Sequence, residues 1–320
     1  MSSAYAGVDL GGTNVTCCIA GADGRIIRTV TEPTDSHEGP DAVLLRIASM
    51  TAGLVHSTGV VLAAAGVGVP GRVDLATGTT LFLPNLPTQW RGVPVAAKLG
   101  ASLGCPVYVL NDCRTATLGE LSFGRGREVR DMVLFMVGTG IGGGVVIDGK
   151  LRLGPLGAAG EVGHQTILPY GPQCGCGSRG CLETLASGPA IAAEGVRLMR
   201  SGLAPRLHEL VRGDAGAVDP QTMAEAARLG EESVQCAIRR AAEYLGIGVA
   251  NAVTILHPEL VVIGGGVAAL GPLLLDPVRD TVRSRVGMFP TDGVAIETSA
   301  LGDQAGLYGA IALAMNGGRV

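Results

Sequence analysis

The first residues able to do chemistry are Asp9-Leu10-Gly11-Gly12-Thr13-Asn14, set between two apolar segments. Glycines in such a turn let backbone N–H groups approach phosphate oxygens, Thr13 adds a hydroxyl donor, and Asp9 suits a hydrated Mg²⁺. Taken alone, an ordinary tight hairpin accounts for the same residues. A second glycine turn, Gly138-Thr139-Gly140-Ile141-Gly142-Gly143-Gly144, also follows an apolar strand. Two such turns, each opening one half of the chain, suit a phosphate chain gripped from both sides. Neither is a Walker A loop, because no Gly-Lys-Ser/Thr follows, and a strand instead of a helix after the turn argues against a dinucleotide fingerprint.

Asn111-Asp112 sits where an apolar strand stops and a helix starts. A carboxylate at the carboxyl end of a central strand can accept the proton of an attacking hydroxyl. Asp112 alternatively only caps the helix. His164 with Cys174, Cys176 and Cys181 forms a complete Cys₃His set, which leaves no open coordination position and so indicates structural zinc. The competing account is a core histidine with buried thiols or a redox pair. Glu161 and Glu183 flank the set and either face a polyhydroxylated ligand or stay solvated. In Leu83-Pro84-Asn85-Leu86-Pro87, near Trp90, an amide held between prolines suits sugar hydroxyls or belongs to a rigid loop.

Elements must place these groups. The pattern predicts a β-meander over Ala4–Leu10, Val15–Gly21 and Arg25–Thr31, a helix near Pro40–His56, and a strand over Val60–Val69. Helical spacing over Val93–Gly104 precedes a strand over Val107–Leu110 and a helix over Cys113–Phe123. A similar opening then recurs: strand Met132–Val137, glycine turn 138–144, strand Val145–Asp148, and a hairpin into Lys150–Leu153. This repeat of topology favours a duplicated domain with a cleft between the copies. Residues Ser201–Pro220 read as a surface connection, Glu231–Ile255 as a helix, Leu260–Ile263 as a strand broken by Gly264-Gly265-Gly266, and Asp303–Met315 as a final helix.

A chain of 320 residues exceeds what one core usually serves. Its net charge is −4 and its lysines are only Lys98 and Lys150, so no patch basic enough for nucleic acid is present. Mean hydropathy is +0.38, yet the uncharged runs at 132–147 and 260–275 are broken by glycine and too short to cross a membrane. Met1–Leu10 lacks the features of an export signal, so a cytoplasmic protein is expected.

Taken in order, DLGGTN at 9–14, VPGRVD at 69–74, LPNLP at 83–87, ND at 111–112, GTGIGGGVVIDGKL at 138–151, GEVGH at 160–164, CGCGSRGCLE at 174–183 and IGGGV at 263–267 resemble the ROK family (repressors, uncharacterised reading frames and sugar kinases), within the actin-like ATPase superfamily. The resemblance covers nearly the whole chain, and GEVGH followed by CGCGSRGCLE is its most specific part. It implies an α/β fold of two ribonuclease H-like lobes around a central cleft. A small lobe over 1–122 would take back a final helix within 303–320, and a large lobe over 123–302 would carry the zinc loop and the nucleotide site. Asp112 would be the general base, with Gly71, Asn85, Asn111, Glu161, His164 and Glu183 on sugar hydroxyls. Gly11, Gly12, Thr13, Asn14, Thr139 and Gly140 would hold the phosphates of ATP, with Mg²⁺ at Asp9 and Gly264, Gly265 and Gly266 beside adenosine. His164 would both ligate zinc with Cys174, Cys176 and Cys181 and touch the sugar.

The activity so implied is ATP-dependent phosphorylation of a hexose, foremost glucose at its 6-hydroxyl. The alternative is a kinase of an amino or N-acetylamino hexose such as kanosamine, N-acetylmannosamine or N-acetylglucosamine, and a third reading is a sugar-sensing protein without catalysis. Repressors of the family place a winged helix-turn-helix ahead of DLGGT, whereas only Met1–Val8 precede Asp9 here. The resemblance also suggests homodimers or homotetramers. Two positions depart from its pattern: Asn14 stands where many bacterial glucokinases of this type carry lysine, and Cys113-Arg114 replaces small or amide residues. Arg114, one helical step from the base, is expected to contact ligand phosphate or alter the sugar pocket.

Overall fold

The computed structural model describes residues 3–83, 86–87 and 90–320. They divide into two compact units, Met1–Arg130 with Val145–Gly160 and Asp303–Val320, and Asp131–Gly144 with Glu161–Gly302. In chain order the first elements are β1 (Ser3–Leu10), β2 (Asn14–Ala20), β3 (Ile26–Pro33), α1 (Pro40–Thr58) and β4 (Val61–Val69). The hairpin β5 (Arg72–Asp74) and β6 (Thr79–Phe82) follows, then α2 (Val95–Leu103), β7 (Val107–Asn111) and α3 (Asp112–Phe123). The strands make a sheet of order β3-β2-β1-β4-β7.

In this sheet β1 and β2 are antiparallel, whereas β1, β4 and β7 run parallel. The register fixes heights: Asp9 lies opposite Gly68, and Gly68 opposite Leu110. Asn111 and Asp112 therefore emerge one and two residues above the level of Asp9, at the same sheet edge. Helix α1 begins with proline in its first turn and ends at Gly59 with a left-handed φ of 66°, which suits a residue without Cβ. Its buried face, Val43, Leu44, Ile47, Ala48, Met50 and Leu54, has helical spacing and joins a core with Val8, Val15, Val67 and Trp90.

After residue 131 come β8 (Met132–Val137), β9 (Ile141–Ile147), β10 (Lys150–Arg152), α4 (Glu183–Ala186), α5 (Gly188–Arg200), α6 (Pro205–Leu210), α7 (Pro220–Arg228), α8 (Glu232–Leu256), β11 (Leu260–Gly264), α9 (Pro272–Arg285), β12 (Ala295–Thr298) and α10 (Ala305–Met315). The second sheet has order β10-β9-β8-β11-β12, with β8, β11 and β12 parallel. Both sheets thus follow one plan, and the expected repeat of topology is real. No helix among the described residues is long and apolar enough to cross a membrane.

Some elements differ from expectation. The second glycine turn is confined to 138–140, because Ile141–Gly144 already belong to β9. A Cβ at Gly143 would lie 2.1 Å from the Leu134 carbonyl oxygen, so this glycine serves close strand contact instead of a turn. The stretch 201–220, read as a connection, contains α6 and a 3-10 turn. Helix α7 is an addition to the expected elements, and Asp219 and Thr222 form a capping box ahead of it, with Pro220 in its first turn.

Helix α10 packs on α3, β1 and β4 of the first unit. Its crossing with α3 is so close that a Cβ on Gly309 would stand 1.7 Å from the Thr115 carbonyl oxygen. Gly309→Ala is expected to destabilise the fold by about 1–3 kcal/mol or more in urea unfolding. Gly53→Ala, in α1 with nothing within 4 Å of the added methyl, should instead stabilise it by roughly 0.5–1 kcal/mol.

Candidate active site

In the first glycine turn, Gly11 N–H donates to the Asn14 carbonyl at 3.0 Å. Buried Thr34 anchors the turn from behind: its N–H donates to the Thr13 carbonyl at 2.7 Å and its hydroxyl to the Gly11 carbonyl at 2.8 Å. In a trans peptide the N–H points opposite the carbonyl of the same unit. The N–H groups of Gly12 and Asn14 therefore face away from Thr34, on residues exposed to solvent. Thr34 was missed in the sequence, where a lone threonine after a strand carries no signal.

The Asn111-Asp112 junction is densely bonded. Asn111, not Asp112, is the cap of α3: its Oδ1 accepts from the N–H groups of Cys113 and Arg114 at 3.1 and 3.2 Å. Its Nδ2 donates to Asp112 Oδ1 at 2.8 Å and to the Gly71 carbonyl at 3.0 Å. Both amide protons of Asn111 are thereby committed inside the protein, and Gly71 contributes its carbonyl to that bond. Asp112 Oδ1 also accepts from Cys113 N–H at 2.8 Å.

Burial pushes the Asp112 carboxyl above its ordinary value, while Cys113 N–H, the Arg114 charge and Asn111 pull it down. Asp9 is pushed up to about 6, first by burial and then by the nearby charge of Asp112. Arg114, expected at a ligand, is only 2% exposed. It donates from Nη1 to Asn111 Oδ1 at 2.9 Å and from Nε to the Ala159 carbonyl at 3.0 Å. Asn85 lies outside the described residues.

In the second unit, the turn 138–140 closes through Gly138 N–H on the Gly140 carbonyl at 2.9 Å. The Gly138 carbonyl accepts from Gly188 N–H at 2.8 Å, which directs the Thr139 N–H the opposite way, at an exposed residue. Glu183 Oε2 accepts from Ile141 N–H at 2.9 Å. Beside this turn, Gly264 pairs with Met136, and Gly265 with φ 82° lies tight on the Val137 carbonyl, so the triplet 264–266 adjoins it. Glu161 opens a 3-10 turn that carries His164.

Side-chain atoms of His164, Cys174, Cys176 and Cys181 all lie within 4.8 Å of one another. Cys174 Sγ stands 3.7 Å from His164 Nδ1, and Cys176 Sγ 3.7 Å from Cys181 Sγ. A tetrahedron with bonds of about 2.3 Å has edges of about 3.8 Å, so the four donors fit one Zn²⁺. A disulfide would need sulfurs about 2.0 Å apart. Burial and then the neighbouring thiols push Cys181 up to about 12, and burial also raises Cys174. A backbone hydrogen bond at Ser178 chiefly lowers Cys176. A divalent cation at the centre would favour all three thiolates. His164 turns Nε2 toward Glu161 Oε2, 3.9 Å away, and Glu183 Oε1 is 3.9 Å from Cys174 Sγ.

Comparison with known proteins shows which family this chain is similar to. The chain is 36% identical over 310 residues to a glucokinase of Thermotoga maritima, covering 96% of each chain. It is 32% identical over 310 residues to an N-acetylmannosamine kinase of Escherichia coli O157:H7, covering 96% of this chain and 97% of that one. Among solved structures it resembles a ROK glucokinase from Streptomyces griseus in complex with glucose and AMPPNP, at 34% identity and a TM-score of 0.84, covering 98% and 99% of the two chains. That likeness carries the actin-like ATPase fold. Since the family model matches residues 5–316 and relatives align along the full length, this chain belongs to the ROK family.

Proposed function

We propose that this protein is an ATP-dependent sugar kinase that phosphorylates glucose at its 6-hydroxyl, with Asp112 as general base. The observation that carries the reading is the half-buried Asp112 at the carboxyl edge of β7, braced on Oδ1 by two donors. Oδ2, which neither of these two bonds uses, would take the proton of an incoming hydroxyl. Burial makes the carboxylate a better base, while the surrounding donors favour its ionised form. The glucokinase relatives support the same reading.

Phosphoryl transfer asks a protein mainly to position groups and neutralise charge. In the first unit the N–H groups of Gly12 and Asn14 and the Thr13 hydroxyl serve phosphate oxygens. In the second unit Thr139 and Gly140 do the same, and Gly264–Gly266 lie beside adenosine. Asp9 is an oxygen donor whose ionised form is disfavoured by burial and by Asp112, so its environment suits a cation. A hydrated Mg²⁺ held there would neutralise charge developing on the transferred phosphoryl group.

His164 and the three cysteines hold structural zinc, which fixes the loop presenting Glu161 and the Nε2 face of His164 to sugar hydroxyls. Glu183, bonded to Ile141 N–H, orders the second turn as well as serving the sugar. Preference for an N-acetylamino hexose is the second reading, favoured by the likeness to N-acetylmannosamine kinase. A panel of hexoses and aminohexoses with ATP and Mg²⁺ separates the two, and no turnover with any of them would sink both.

Asp112→Ala should lower kcat by about 10²–10⁴-fold while glucose still binds in calorimetry; near-normal turnover would remove Asp112 from the chemistry. Elemental analysis should find one zinc per chain, and Cys176→Ser should lose it and weaken glucose binding about tenfold or more. Asp9 binds its proton more tightly folded than unfolded, so stability falls as pH climbs from about 4 to about 6. The loss is at most roughly 3 kcal/mol for a shift from 3.8 to about 6. Without Mg²⁺, Asp9→Asn should therefore melt above wild type at pH 7.5, and the gap should close near pH 4.

A further inference from the structure

Among the described residues Arg114 is the one cation with almost no solvent exposure, at 2%. Taking a guanidinium out of water is costly unless its donors are satisfied. Here two of them reach acceptors in two different segments: Asn111 Oδ1 at 2.9 Å and the Ala159 carbonyl at 3.0 Å. Ala159 lies two residues before Glu161 in sequence. The Asn111 carboxamide is the part that matters for chemistry, because its Nδ2 donates to Asp112 Oδ1 at 2.8 Å. A cation on Oδ1 polarises the amide and strengthens the bond its nitrogen makes.

We infer that Arg114 is a positioning residue for phosphoryl transfer: it clamps the Asn111 carboxamide, which orients Asp112, and ties that junction to the segment ending at Ala159. The inference rests on the reading of Asp112 as the base. Guanidinium nitrogens bond Asn111 and Ala159 while the amide of Asn111 holds the carboxylate, so this hydrogen-bonded route from Arg114 to Asp112 runs through Asn111. The positioning part of its action thus depends on the Asn111 side chain, beside the direct pull of its charge on the Asp112 carboxyl.

The test is a double-mutant cycle on purified full-length protein with glucose, ATP and Mg²⁺, using Arg114→Gln, Asn111→Ala and the double variant. Expected is a fall in kcat of roughly tenfold for Arg114→Gln, with KM for ATP changed less than about threefold. In the Asn111→Ala background the same change should cost less than about threefold more. Losses that multiply, or a kcat of Arg114→Gln within about threefold of wild type, would overturn the inference. Should Arg114→Gln fail to fold in circular dichroism, Arg114→Lys carries the same cycle, because it keeps the charge and reaches one acceptor. An Asp112→Ala control separates the two claims: if it remains active, the reading of the base has failed. If it is inactive while the cycle is multiplicative, only the role of Arg114 has.

Discussion

The first unit depends on the parallel register of β1, β4 and β7. Opposition of Asp9 to Gly68 and of Gly68 to Leu110 brings two carboxylates, distant in sequence, to one edge of one sheet. A slip of one residue would turn either group to the opposite face of the sheet. The hydrophobic alternation that fixes the register, with Val8, Val67 and Val109 in the core, thereby also fixes the distance between charges. Packing and chemistry share a single constraint.

That closeness has an electrostatic cost. Burial raises both carboxyls, the charge of Asp112 raises Asp9 further, and the fold answers unequally. Asp112 receives two donors on one oxygen and a nearby guanidinium charge, which pull its raised carboxyl back down. Beside Asp9 stands Gly306, whose added Cβ would lie 2.7 Å from its Oδ2. On the function proposed above, these two like groups would take different tasks, one a proton and the other a cation. In the second unit the Cys₃His set has a similar logic, since burial holds the thiols of Cys174 and Cys181 protonated while Cys176 is lowered, and a divalent ion would favour all three thiolates.

Much of this was legible in the sequence. Glycine runs, the Asn-Asp junction and the spacing of His164 with three cysteines are signals carried by a few adjacent residues. The repeat was legible because each half opens with an apolar strand and a glycine turn. Contacts set by tertiary approach were not. Arg114 read as a cation facing a ligand, and only coordinates reveal that its acceptors are a side chain three residues back and a distant carbonyl. The glycines of β9 read as a turn because spacing does not distinguish a residue needed for backbone bending from one needed for strand proximity. Thr34 carried no pattern at all.

Helix α10 lends the first unit part of its core, with Leu307 and Ile311 buried against Cys18 and Ala20. Its partner α3 ends at Phe123, and nearly the whole second unit separates the two in the chain. During synthesis the leading strands must therefore wait, with an apolar sheet face uncovered, until the last of these helices leaves the ribosome. The backbone-close crossing at Gly309 acts as a latch on order of assembly: the unit begun first is finished last.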